Sequence, residues 1–264
     1  MVLELLDQAG TVIRKFSSDD QPVPPVEGRN VPDYWIRPEE VLSAEPGMHR
    51  FVWDLRYPPP AVSGFSYPIA AIYQNTPREP RGPWVAPGSY TVRLTVAGRA
   101  YTRPLTVKMD PRVKTAPEAL AQQFALTMQV YDALDRDGSM LRAARSVRAQ
   151  LQELRSKAKG AVAAAVTVVD TRVAAVAGGG GGFFGGGGEG PETLARLNGN
   201  LAQLLDMLQD ADVAPTGIVV AAVGERINVL APLLERWHRI ATEDVPALNQ
   251  RLKAAGLAEV RLAP

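Results

Sequence analysis

The chain has 264 residues, 46% of them hydrophobic, with 29 Lys+Arg against 28 Asp+Glu and a formal net charge of +1. So even a balance gives no basic footprint for nucleic acid or an acidic membrane. There are no cysteines, which excludes disulfides, thiolate metal sites and a cysteine nucleophile.

The first residues, Met1-Val2-Leu3-Glu4-Leu5-Leu6-Asp7, lack a basic leader, and Glu4 and Asp7 interrupt the apolar run. No signal peptide is expected there. The longest apolar run, 161–169, falls well short of the ~20 residues that a bilayer span needs. No membrane insertion is expected.

Residues 2–6 read as a short apolar strand. Asp7-Gln8-Ala9-Gly10 turns the chain, and 11–16 returns as the second arm of a hairpin. Residues 19–47 are rich in Pro, Asp, Glu and Gly and read as loop. Over 48–55 the spacing of Phe51, Trp53 and Leu55 predicts a strand. Another strand is placed near 69–73 within Pro-rich sequence. Tyr90, Val92, Leu94 and Val96 then alternate with polar residues, Ala97-Gly98 turns, and 99–108 comes back. Several short strands, Pro-rich connections and a closing hairpin predict an immunoglobulin-like antiparallel β-sandwich.

The period changes at Asp110-Pro111. Thr115-Ala116-Pro117-Glu118 has the form of a capping box. Leu120, Phe124, Met128, Tyr131 and Leu134 follow at helical spacing, with Gly138 as the expected helix end. Further stripes are Leu141 to Leu154, Val162 to Val176, Leu194 to Leu208 and Val220 to Trp237, and a short last helix is expected from Asp244-Val245-Pro246. Apolar stripes of this kind must bury one another, which predicts an antiparallel helical bundle. The expected fold is therefore α+β in two domains, a sandwich over 1–110 and a bundle over 115–258. A Gly-rich loop, 177–190, interrupts the bundle.

Chemistry-bearing motifs are sparse. His49 and His238 stand alone, without ligand spacing. The glycine run lacks Gly-Lys-Ser/Thr and does not follow a strand, so it is no phosphate loop. No Gly-x-Ser-x-Gly elbow occurs. The carboxylates Asp19, Asp20, Glu39, Glu40, Asp54, Asp132, Asp135 and Asp137 fall in turns or near a helix end, where acids serve turns and solubility. No catalytic, cofactor-binding or metal-binding residue is nominated. Aromatics, by contrast, crowd residues 34–84. Tyr34, Trp35, Tyr57, Tyr67 and Trp84, with Phe183 and Phe184 of the glycine run, are the candidate contacts. They are expected to pack beneath the loops or anchor a protein interface, with stacking on a carbohydrate as the alternative.

Three segments carry a resemblance: Gly47-Met48-His49-Arg50-Phe51-Val52-Trp53-Asp54-Leu55-Arg56-Tyr57-Pro58, Ala86-Pro87-Gly88-Ser89-Tyr90-Thr91-Val92-Arg93-Leu94-Thr95-Val96 and Leu105-Thr106-Val107-Lys108-Met109-Asp110-Pro111-Arg112-Val113. Together with Asp244-Val245-Pro246-Ala247-Leu248-Asn249, they resemble the C-terminal region of bacterial sortilin-like, BNR-repeat propeller proteins labelled glycosyl hydrolases. The β part is similar to the immunoglobulin-like domain of the flagellar hook-capping protein. The resemblance implies a non-catalytic accessory module, with any catalytic site in the propeller. It also implies an extracellular or periplasmic location and, as partner, a propeller domain or a second copy. A carbohydrate-binding module is the alternative, and part of a glycoside hydrolase a more distant one.

Overall fold

The computed structural model describes residues 1–24, 31–62, 64–68, 72–178 and 190–262. It is α+β, with one four-stranded antiparallel sheet among the described residues and four long helices. Two compact units emerge. Met1–Pro60, Gly64–Met128 and Leu208–Ala214 form the first, and Ala61–Ser63, Gln129–Met207 and Pro215–Pro264 the second.

In the first unit, β1 (Val2–Leu6) and β2 (Val12–Ser17) form the expected hairpin. Asp7 holds its turn by accepting Gly10 N–H on its carbonyl (3.0 Å) and Thr11 N–H on Oδ1 (2.8 Å). A bulge between Leu5 and Leu6 shifts the register. β3 (Gly88–Val96) and β4 (Arg99–Val107) pair across Ala97-Gly98. Both turn residues have positive φ, 48° and 79°, the geometry that matches a two-residue turn to strand twist.

The strand order is β2-β1-β3-β4. β1 is thus central, with Leu5 in register with Arg14 on one side and Val92 on the other. Leu5, Ile13 and Val85 are the buried core of this sheet, and half-buried Phe16, Trp53, Tyr57, Tyr90, Val92, Leu105 and Val107 surround them. Glu4 and Arg93, direct cross-strand partners, make a 2.7 Å ion pair.

The expected strand over 48–55 does not form. Its alternation serves another purpose. Phe51 packs edge-on against Phe16 of β2 (4.7 Å between centroids) and Trp53 against Tyr90 of β3 (6.5 Å). An extended segment can place alternate side chains on a sheet face without joining a ladder. Leu55, at φ 58°, then turns the chain out of extended geometry. Of the strand expected near 69–73, residues 69–71 lie outside the described residues.

α1 (Pro117–Arg155) is one helix of 39 residues, so Gly138 does not end it. The glycine answers a packing demand. A Cβ there would lie 1.7 Å from the carbonyl oxygen of Ala61. The capping box is also absent. Ala116 takes up the first helical bonds, and Thr115 Oγ1 instead donates to the Asp212 carbonyl.

In the second unit, the remainder of α1 is joined by α2 (Gly160–Ala177), α3 (Leu194–Met207) and α4 (Gly217–Arg239). α4 continues through a π-helical turn, Ile240–Asp244, into α5 (Val245–Ala254). Pro246 lacks an N–H and its ring crowds the preceding turn, and the wider π turn accommodates it. α2 packs on α3, α4 and α5, and α3 on α4. Leu134, Leu141, Val147, Leu151, Val166, Val173, Leu197, Leu201, Leu205 and Leu233 are wholly buried. By length and composition alone, α2 and the continuous helix Gly217–Ala254 could each cross a membrane, a test that core helices also pass.

Candidate functional site

The Pro-rich segments of the first unit hold their aromatics in two groups. The first is built by a short 3₁₀ turn, Asp33–Trp35. Pro32 enters this turn in extended geometry, as its fixed φ favours. Tyr34 and Trp35 both reach Tyr73, with centroid distances of 6.4 and 6.1 Å, and Gln74 N–H donates to the Trp35 carbonyl (2.8 Å). Tyr34 and Tyr73 are largely exposed, 67% and 56%, whereas Trp35 is half-buried.

The second group centres on Trp84. The Arg56 guanidinium lies over its ring, 3.7 Å from the centroid. Arg56 is almost wholly buried, and its Nη1 donates to the Gly82 carbonyl (2.7 Å) and to Gln209 Oε1 (2.8 Å). The same Gln209 oxygen accepts the Trp84 backbone N–H (3.1 Å). Trp53 Nε1 donates to the Arg56 carbonyl (3.0 Å), and Asp54 Oδ1 accepts Arg56 N–H (3.2 Å). Two strand-like bonds, Tyr57 N–H to Pro83 O and Val85 N–H to Leu55 O, tie the segments together. Gly82 permits the close approach, because a Cβ there would fall 2.1 Å from the Tyr57 carbonyl oxygen. The indole is therefore held on one side by a fixed cation, while the residue stays 45% exposed. Such a ring costs little conformational entropy to use and suits stacking or an apolar contact.

Tyr57 takes a different role. It packs against the sheet core and lies 6.4 Å from Phe124. Burial pushes its phenol above the usual range, with Tyr90 and Asp7 adding to the shift. Tyr67 is half-buried. Phe183 and Phe184 lie outside the described residues. Of the sequence candidates, the structure brings Tyr34 and Trp35 together and holds Trp84 separately. Arg56 and Gln209 escaped sequence reasoning as site residues, while Tyr73 belongs to the aromatic-rich stretch the sequence singled out. The Arg56–Trp84 contact bridges 28 positions and the Gln209 contact more than a hundred, so no local spacing marks them.

Among the described residues no cluster of three His, Asp or Glu could hold a metal ion. His49 and His238 are exposed, and Nε2 of His49 meets only the Glu45 carbonyl at 2.7 Å. Asp54 and Asp135 serve backbone N–H groups, those of Arg56 and Ala61. Among the described residues of the helical unit, two carboxylates are buried. Asp170 sits 3.4 Å from both Arg148 and Arg155. Asp137 is wholly buried and accepts one bond from Asn198 Nδ2 (2.8 Å). Burial pushes its pKa to about 7, against the lowering effect of Asn198. No protein-family model, no curated protein and no solved structure matches this chain.

Proposed function

We propose that this chain is a non-catalytic interaction module that binds a protein partner through the aromatic surface of its first unit. The observation that carries this reading is Trp84. A large ring is kept exposed while a buried arginine, a glutamine amide and a glycine contact are all spent on fixing it. Rigid aromatic and arginine side chains dominate interface energetics. In this reading, the sheet and its covering segments are an immunoglobulin-like sandwich, and the packed helices are a bundle. The whole is the accessory part of an exported, sortilin-like propeller protein. Its partner is the propeller.

The test is a titration of this chain against a sortilin-like propeller from the same genome, followed by native mass spectrometry. The expected result is a 1:1 complex, weakened about tenfold or more by Trp84→Ala. Absence of a complex, or one indifferent to Trp84→Ala and Tyr34→Ala, overturns it. One observation favours a second reading. A half-exposed indole with one face already covered also suits stacking on a sugar ring. Retention on polysaccharide affinity gels, lost in Trp84→Ala, would replace the protein partner with a glycan.

A further inference from the structure

The segment after α5 is held in an unusual manner. Asn249 on α5 grips Val260 with both ends of its carboxamide: Nδ2 donates to the Val260 carbonyl (2.9 Å), and Oδ1 accepts the Val260 N–H (2.8 Å). Gln150 on α1 does the same to the next residue. Its Nε2 donates to the Arg261 carbonyl and its Oε1 accepts the Arg261 N–H, both at 2.8 Å. Two carboxamides on two helices therefore hold the N–H and the carbonyl of two consecutive residues.

Among residues 257–262, only Val260 is buried, at 3% exposure. Glu259, Arg261 and Leu262 remain exposed. Beside the clamp runs an open groove of about 400 Å³, with Val245, Pro246, Asn249 and Lys253 of α5 on one side and Val260 and Leu262 on the other. Main-chain hydrogen bonds supply grip and a single pocket supplies selectivity, which is the logic of extended-peptide recognition.

We propose that this clamp is a peptide-binding site, filled in cis by residues 257–262, and that it accepts the same segment from a second copy of the chain. The occupant follows from chemistry already seated in it, a buried aliphatic residue at the Val260 position whose own N–H and carbonyl are both held. Departure is simple. One side chain leaves its pocket, two carboxamides are released, and Gly256, at φ +68°, stands at the joint between α5 and the segment. Reciprocal exchange restores every bond in trans and closes on a twofold axis. Tethering gives the cis segment a high effective concentration, so exchange grows with protein concentration. This inference rests on the helical unit alone and stands whether or not Trp84 binds a partner.

The experiment mixes two full-length variants. Val260→Asp disables the segment and leaves the clamp. The double variant Gln150→Ala/Asn249→Ala disables the clamp and leaves the segment. Each alone is expected to stay monomeric at high micromolar concentration. The equimolar mixture is expected to form a heterodimer, read by native mass spectrometry with differently tagged chains. A mixture that stays monomeric while both variants keep the wild-type circular dichroism overturns the proposal. So does a Val260→Asp chain that dimerises by itself. If either variant unfolds, the wild-type chain decides, using a fluorescent peptide of sequence 256–262. Saturable binding that weakens about tenfold or more when the peptide carries Asp in place of Val260 supports the site. Equal binding of the two peptides, or no binding, removes it.

Discussion

The sheet and the helices are stabilised in different ways. The sheet rests on Leu5, Ile13 and Val85, each still slightly exposed, and on a ring of half-buried aromatics. The helices bury rows of leucine and valine completely. Removal of apolar area from water contributes roughly 25 cal/mol per Å², so the helical rows provide much the larger store of stability. The first unit instead spends side chains on fixing irregular segments: Arg56 on Gly82 and Gln209, Trp53 on the Arg56 carbonyl, Asp54 on its own turn. A scaffold with a small core presents aromatics outward, and a unit with a deep core does not need to.

The contrast is tested most strongly by truncating both cores. Leu201→Ala, at a wholly buried position of α3, is expected to cost about 4–5 kcal/mol, against about 2–3 kcal/mol for Ile13→Ala in the sheet, whose site is less completely enclosed. Chemical denaturation gives the totals, and hydrogen exchange should show which amides lose protection. Comparable losses at the two sites would remove the distinction.

Asp137 sharpens the same point, because it is the helical unit's cost. Its folded pKa of about 7 lies above the ordinary carboxyl value of 3.8. The folded state therefore binds the proton more tightly. The stabilisation is fully present below the unfolded pKa and is lost as pH rises through about 7. Between those limits stability should fall by roughly 1.4 kcal/mol per pH unit. Asp137→Asn should flatten that slope and be the more stable protein at alkaline pH, by about 1–3 kcal/mol. Denaturation midpoints across the pH range check both statements.

Gly138→Ala comes next. In an exposed helix interior this change would help by up to about 1 kcal/mol. Here the new methyl meets the Ala61 carbonyl oxygen at 1.7 Å, so a loss of about 1–3 kcal/mol is expected. A stabilising result would show that residues 61–62 yield freely. The smallest effect belongs to Glu4→Gln in the cross-strand ion pair of β1 and β3. Arg93 holds the Glu4 carboxyl below its usual pKa through a hydrogen bond, so the pair contributes above the ordinary Glu range and is lost as pH falls through the folded value. Salt near 1 M should erase the difference from wild type in thermal unfolding.

Local periodicity was a dependable guide where one element supplied its own pattern. Leu194, Leu197, Leu201 and Leu204 of α3 are all buried as their spacing predicts, and Ala97-Gly98 makes the turn. It misled where a residue answered to something distant. Gly138 reads as a helix stop but yields to the backbone at Ala61, and the alternation at 51–55 reads as a strand but lays rings onto β2 and β3. The exposed aromatics could be nominated from composition, yet not the arginine and glutamine that fix Trp84.

The amino-acid order by itself therefore determined the two hairpins, the helical stripes and the change of period near Asp110, because hydrogen bonding and side-chain direction repeat every two or 3.6 residues along any chain. The tertiary structure decided that β1 lies between β2 and β3, that Gly138 stays helical, and that Asn249 and Gln150 grip Val260 and Arg261. Each of these joins residues through close approach in space, and no sequence interval encodes that.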